Sequence, residues 1–189
     1  MPCALTSNYV LDCRDSRGGI SEIHFAEKRN IYVEDANGVV TVIWKLTPFR
    51  KYELPDEVGS LTETKTTNTQ NGTVFYQTEI KLVVNKLAVA VRNEVKLLAQ
   101  NTLYAIVKDN NGRYWFLGRY NGVDLTSGTL GTGTAYGDRS GFDLTFTATE
   151  ASPMFGLSDA LAPTINVLTS TDIENYLKYA EAVGLTPTP

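Results

Sequence analysis

Two cysteines and a single histidine are the side chains of this 189-residue chain best suited to metal or nucleophilic chemistry. A structural zinc site takes four thiolate or imidazole ligands. Cys3, Cys13 and His24 supply three at most, so no metal centre is expected. The cysteines read instead as small apolar side chains of an N-terminal strand. Met1-Pro2-Cys3-Ala4 does not begin with the basic and apolar segments of a secretory leader. Reduced thiols are therefore expected rather than a Cys3–Cys13 disulfide. His24 sits in the alternating run 20–26 and reads as a strand residue facing one side. A catalytic histidine needs a nucleophile and an orienting carboxylate, and no spacing supplies them.

Gly128-Thr129-Leu130-Gly131-Thr132-Gly133-Thr134 has the glycines of a phosphate cradle. It lacks the Gly-Lys-Ser/Thr ending of a P-loop and a place between a strand and a helix start. A flexible contact loop is the better reading. Asp124, Asp138 and Asp143 match no calcium-loop spacing and read as solvated turn carboxylates. Asn71-Gly72-Thr73 matches a glycosylation sequon but reads as a hairpin turn. No carboxylate pair stands out for acid–base work. No catalytic, metal or cofactor residue is assigned, and an enzyme is not expected.

The elements that would carry a different kind of site are mainly β. The chain is 42% apolar and 20% charged with a net charge of −4, which excludes a disordered polyelectrolyte. It has no run of ~18 apolar residues that would span a bilayer. It has no Lys/Arg cluster to grip a phosphate backbone. Segments 20–27 and 39–45 are rich in β-branched and aromatic residues, and Gly18-Gly19 and Asp35-Ala36-Asn37-Gly38 punctuate them. Pro48 and Pro55 bracket an irregular connection. Leu87, Val91, Val95 and Leu98 recur at helical spacing and predict a helix over 88–100. Strands 103–108 and 114–120 flank the turn Asp109-Asn110-Asn111-Gly112. Segment 121–141 is Gly/Thr-rich, without periodicity, and reads as a contact loop that orders on assembly. Phe142, Leu144, Phe146 and Ala148 alternate with Asp143, Thr145, Thr147 and Thr149 as a half-buried strand.

After Ser152-Pro153 the chain becomes proline-punctuated. Thr171-Asp172-Ile173-Glu174 reads as a capping box with Thr171 as N-cap. The helix behind it uses Ile173, Tyr176, Leu177 and Ala180 and ends near Gly184. The expected organisation is a β-rich domain over 1–152 and an extension over 153–189 outside it, able to pack on a neighbour or on its own body.

The most informative stretch is 60–85. Asn71-Gly72 is the preferred pair of a two-residue type I′ hairpin. That turn sets Thr66 opposite Gln77, Thr64 opposite Glu79 and Thr62 opposite Lys81. One face of the ribbon is then almost wholly polar. A lone hairpin of this length is not stable in water, so the ribbon needs a partner.

The run Cys3-Ala4-Leu5-Thr6, Tyr9-Val10-Leu11-Asp12-Cys13-Arg14-Asp15-Ser16 and Gly18-Gly19-Ile20 resembles the opening of a family of tailed-phage virion proteins. These come from phages and prophages of Bacteroidota, including crAss-like phages. Further matching segments are 70–77, 87–98 with Arg92-Asn93-Glu94, 108–115, and Tyr136-Gly137-Asp138-Arg139-Ser140-Gly141 followed by Leu144-Thr145-Phe146-Thr147. The resemblance covers about residues 3–152. It implies a tail-tube-like β-barrel or sandwich with one flanking helix, a long hairpin and a C-terminal helical extension. It also implies a bacteriophage structural protein of the tail tube or head–tail connector, assembled in the host bacterial cytoplasm, that oligomerises into a ring or tube for DNA ejection. Its partners would be copies of itself, other virion tail or connector proteins, and passing DNA held without specific contacts.

On that reading the oligomer interface comprises Ser60, Thr62, Thr64, Thr66, Asn68, Asn71 and Gly72, together with Thr126, Thr129, Gly131, Gly133 and Tyr136. Gln77, Glu79 and Lys81 face the lumen. The alternative is a virion-associated β-sandwich that binds a receptor or glycan. That alternative calls for clustered exposed aromatics, with Tyr114, Tyr120 and Tyr136 as candidates.

Overall fold

The computed structural model describes residues 15–55 and 57–184. Cys3 and Cys13 lie outside the described residues. The chain forms β1 (Ile20–Glu27), β2 (Ile31–Ala36), β3 (Val39–Lys45), β4 (Arg50–Glu53), β5 (Ser60–Asn68), β6 (Thr73–Asn85), α1 (Val89–Gln100), β7 (Leu103–Asp109), β8 (Tyr114–Leu117), β9 (Asp124–Gly131), β10 (Gly141–Glu150), β11 (Phe155–Leu157) and α2 (Ser170–Ala182). Seven strands pair in the order β2-β3-β11-β8-β7-β1-β4 and four in the order β5-β6-β10-β9. The fold is mainly β. The sheets face each other as a sandwich and do not close into a barrel.

The seven-stranded sheet is a middle layer, buried on both faces. Alternate residues of β1 and β7 therefore feed two cores. Ile23, Phe25, Leu103, Ala105 and Val107 point to the four-stranded sheet and meet Ile80, Leu82, Leu144 and Phe146. The Phe25 and Phe146 rings stack across the gap with centroids 4.6 Å apart. Leu98 and the half-buried Val91 and Val95 of α1, with Leu87 just before the helix, close the flank of this core. Ala26, Tyr104 and Ile106 point the other way and pack with Val33, Val40, Phe116, Phe155, Leu157 and Ile165.

That second core corrects the expected domain boundary. Residues after 152 are not an extension outside the body. Strand β11 runs parallel to β3 and antiparallel to β8, and it alone links β2-β3 to the rest of its sheet. Beyond it, Ile165 is 2% exposed and plugs the outer face. Helix α2 packs beside β3. Its N-cap is Thr169 rather than Thr171: the Thr169 hydroxyl accepts from Asp172 N–H, and the Asp172 carboxylate accepts from Thr169 N–H. Gly184, with φ of 70°, ends it as expected.

Two further segments form strands where none was expected. The connection between Pro48 and Pro55 carries β4, an edge strand on β1. The Gly/Thr-rich stretch contains β9, which pairs with β10 from Asp124 to Gly131. Its glycines masked the period, because a strand residue without a side chain contributes nothing to an alternation pattern. Strand β8 stops at Leu117, short of residue 120. Gly118 turns the chain with φ of 79°, and a Cβ there would stand 2.7 Å from the carbonyl carbon of Gly122.

Candidate functional site

Alternation along the four-stranded sheet sorts its side chains. Ile80, Leu82, Phe142, Leu144, Phe146 and Ala148 take the core side. The residues between them face outward. Across β5 and β6 these are the pairs Ser60–Lys81, Thr62–Glu79, Thr64–Gln77, Thr66–Phe75 and Asn68–Thr73. On β10 they are Asp143, Thr145, Thr147 and Thr149, with Thr129 opposite Asp143 and Ser127 opposite Thr145 on β9. The outcome is a four-strand face dominated by hydroxyl groups, broken by Phe75 at its tip and by Val83 opposite Asp143.

The ribbon's register differs from the expected one by two residues. Thr64 opposes Gln77 rather than Glu79, and Thr62 opposes Glu79 rather than Lys81. The cause is the turn. Residues 69–72 form a four-residue loop in which Asn68 Oδ1 accepts from the N–H groups of Gln70 at 3.0 Å and Asn71 at 3.1 Å. Only Gly72 of the Asn71-Gly72 pair has positive φ. The two-residue type I′ geometry occurs at Asn37-Gly38 instead, with φ of 52° and 80°. A shift by an even number keeps every residue on its own face. Gln77, Glu79 and Lys81 therefore still share one face with Ser60, Thr62, Thr64, Thr66 and Asn68.

Thr129 joins this face from the far edge, and Thr126 sits at a bulge where its hydroxyl donates to Thr145 C=O at 3.2 Å. Gly131 ends β9 opposite Gly141. Gly133 and the fully exposed Tyr136 lie in the β9–β10 loop, at the opposite end of the sheet from Asn71 and Gly72. That loop is organised by Asp138, whose carboxylate accepts from Ala135 N–H at 2.8 Å and Thr134 N–H at 2.7 Å. These two bonds hold its carboxyl below the usual range.

Both outer strands of the sheet are unpaired on their far side among the described residues. Successive strands are antiparallel, so β5 and β9 run in opposite directions. The β5–β6 hairpin also overhangs its neighbour. Strand β10 ends at Glu150 opposite Tyr76, and the pairs Thr66–Phe75, Thr67–Val74 and Asn68–Thr73 extend beyond it. Val74 and Phe75, on opposite sides of this tip, are exposed. Charge on the polar face is neutralised locally. Lys81 Nζ lies 2.7 Å from Glu79 Oε1, and Arg139 holds Asp143 within 2.6 Å.

The titratable cluster of the molecule lies elsewhere, on the outer side of the seven-stranded sheet. His24 is 2% exposed, and its Nδ1 lies 2.9 Å from Asn166 Oδ1. Asn166 Oδ1 is an acceptor, so Nδ1 carries the proton. Nε2 has no hydrogen-bond partner and stands 3.5 Å from Glu22 Oε2. Burial lowers the imidazole pKa below 6.5, against the opposing pull of Asn166 and Glu22. Burial also raises the Glu22 carboxyl, but Lys108 and Lys51 hold it below its ordinary range. Lys45, 3% exposed, donates Nζ to the carbonyls of Thr164 at 2.6 Å and Ile165 at 2.9 Å. Burial pushes its pKa down. This cluster clasps the C-terminal segment. None of its long-range contacts follows a sequence motif: His24 and Lys45 reach partners more than a hundred positions away, and Glu22 reaches Lys108 across 86.

Among the described residues no three His, Cys, Asp or Glu side chains converge as metal ligands. None of their helices is long and apolar enough to cross a membrane. Tyr114 and Tyr120 flank the two ends of β8, and Tyr136 is in a loop of the other sheet, so the three tyrosines proposed to cluster are dispersed. No protein-family model, curated protein or solved structure matches this chain.

Proposed function

We propose that the chain is a phage virion structural protein whose copies join into a ring or tube of the tail or head–tail connector, with the polar face of the four-stranded sheet lining a DNA conduit. One observation carries this reading: among the described residues the sheet ends on two strands, β5 and β9, that have no strand partner on their far side and run in opposite directions. An exposed edge is a template for pairing with another chain. Rotation of one copy beside the next brings β9 against the neighbour's β5 in antiparallel sense, extending the sheet by four strands per copy. Such head-to-tail contacts close into a ring or run on as a helix. Ser60, Thr62, Thr64, Thr66, Asn68, Thr126, Thr129 and Gly131 then lie at or beside the seam.

The face chemistry supports the same use. Hydroxyl groups keep a lumen wet without holding phosphates, whereas rows of Lys or Arg bind the DNA backbone by counterion release. Lys81 and Arg139 are each paired with a carboxylate. The resemblance over residues 3–152 supplies the virion context.

Native mass spectrometry with negative-stain microscopy tests the proposal. The full chain is expected to give rings or tubes with a central hole. Removing residues 64–74 and rejoining the hairpin is expected to give dissociated subunits. A full chain that stays monomeric at every concentration overturns the reading. Unchanged rings after the deletion overturn the role of the ribbon.

A further inference from the structure

Away from the four-stranded sheet, three elements meet around a groove of about 660 Å³. They are the turn at Glu27–Asn30, the C-terminal end of α1, and α2. That volume falls in the ~300–1,000 Å³ range of sites that take small ligands.

Tyrosines line the groove beside charged and amide side chains. Tyr32 is held between Trp44, with ring centroids 5.0 Å apart, and Tyr179, at 3.9 Å. The stack fixes the half-exposed Tyr179 ring at the groove wall. Tyr104, 4% exposed, makes the floor. Rings fixed in advance offer flat apolar contact at little entropic cost on binding.

Two of the three cations at the groove are paired with carboxylates: Arg119 Nε donates to Asp35 Oδ1 at 2.9 Å and Arg29 to Glu27 Oε2 at 2.8 Å, while Lys28 Nζ donates to the Tyr120 carbonyl. Lys28 alone of the three has no carboxylate partner, and one such cation is fewer than the several charge-assisted bonds that hold a phosphate or carboxylate firmly. The facing wall offers the amide of Gln100, with donors and an acceptor, and that of Asn101, whose Nδ2 also donates to Leu97 C=O at 2.9 Å. A ligand that suits this lining is uncharged, has apolar faces to lie on tyrosine, and carries hydroxyl groups that both donate and accept around its rim.

We propose that the groove is a binding site for a neutral saccharide. This goes beyond the ring reading and does not depend on it, since no residue of the groove belongs to β5 or β9. In a ring it would sit apart from the polar face and leave the protein able to hold surface glycan.

The test is an array of neutral and acidic glycans probed with the full chain, followed by calorimetry on the best-bound oligosaccharide. A neutral glycan is expected to bind with a Kd in the ~0.1–1 mM range. Gln100→Ala at the exposed rim and Tyr179→Ala at the wall are each expected to weaken it by about tenfold. Tyr179→Phe keeps the ring and is expected to retain most of the affinity. Bound sugar is also expected to shift Trp44 fluorescence through the stack. Absence of binding across the neutral glycans overturns the proposal. So does preference for acidic glycans or inorganic phosphate, or affinity unchanged in both Ala variants. Ring formation is read separately by mass, so loss of one result leaves the other standing.

Discussion

In sequence, strand β5 and the segment 153–184 both read as pieces free to meet a partner rather than parts of the β core: β5 because it is polar, 153–184 because it is proline-punctuated. The fold treats them in opposite ways. Strand β5 has one partly buried apolar residue, Leu61, and from Thr64 to Asn68 every residue is exposed. The C-terminal segment places Phe155, Leu157, Ile165, Tyr176 and Ala180 in buried positions. The difference lies in what each segment can bury. A few large side chains suffice when the backbone between them finds partners. Phe49 N–H donates to Ile165 C=O, Gly156 N–H to Gly38 C=O, and Tyr176 Oη to Arg29 C=O. Beyond Leu61, β5 alternates polar with polar, so neither of its faces gains from leaving water. One segment is thereby captured by its own chain, and the other is left with an edge to offer.

The comparison can be broken first at Ile165. Ile165→Ala empties the outer core and is expected to cost about 2–5 kcal/mol, read by urea unfolding. A cost below ~1 kcal/mol would mean the segment is only laid on the surface. Lys45→Met removes the donor from two carbonyls, one of them buried, and is expected to cost about 1–3 kcal/mol in the same assay.

A smaller effect is expected from His24, and it depends on pH. Its folded pKa is depressed below 6.5 by burial. The associated stability is complete above that value and is lost as pH falls from it towards the folded pKa. Unfolding free energy should therefore decline below about pH 6.5, and His24→Gln should flatten that part of the curve. An identical curve in the variant would remove His24 from the clasp. Least of all, Asn68→Ala at the hairpin tip should change monomer stability by under ~1 kcal/mol. A larger loss would show that the ribbon is held by its own body after all.

Much of the body was legible in the residues. Strands β1, β3 and β10 and helix α1 follow from period and turn chemistry, because their apolar residues recur at 2.0 or 3.6 positions. The face shared by Thr62, Thr64, Thr66, Gln77, Glu79 and Lys81 was also legible, and it survived a wrong register because the slip was even. Strand β9 was hidden by its glycines. Strand β11 has only three residues, too few to show a period. The aromatic groove was invisible because Tyr32, Tyr104 and Tyr179 come from three distant elements.

The chain by itself determined a mainly β protein, the position of the amphipathic helix α1 before β7, and a hairpin with a polar face. These depend on neighbours within a few residues. Tertiary structure alone decided that 153–184 belongs to the body, that Asn71-Gly72 yields the tight turn to Asn37-Gly38, and that a lysine and a histidine are buried against main-chain and amide groups more than a hundred residues away. Such choices turn on which surfaces meet across the fold. Burial and hydrogen-bond satisfaction are properties of that meeting and not of local sequence.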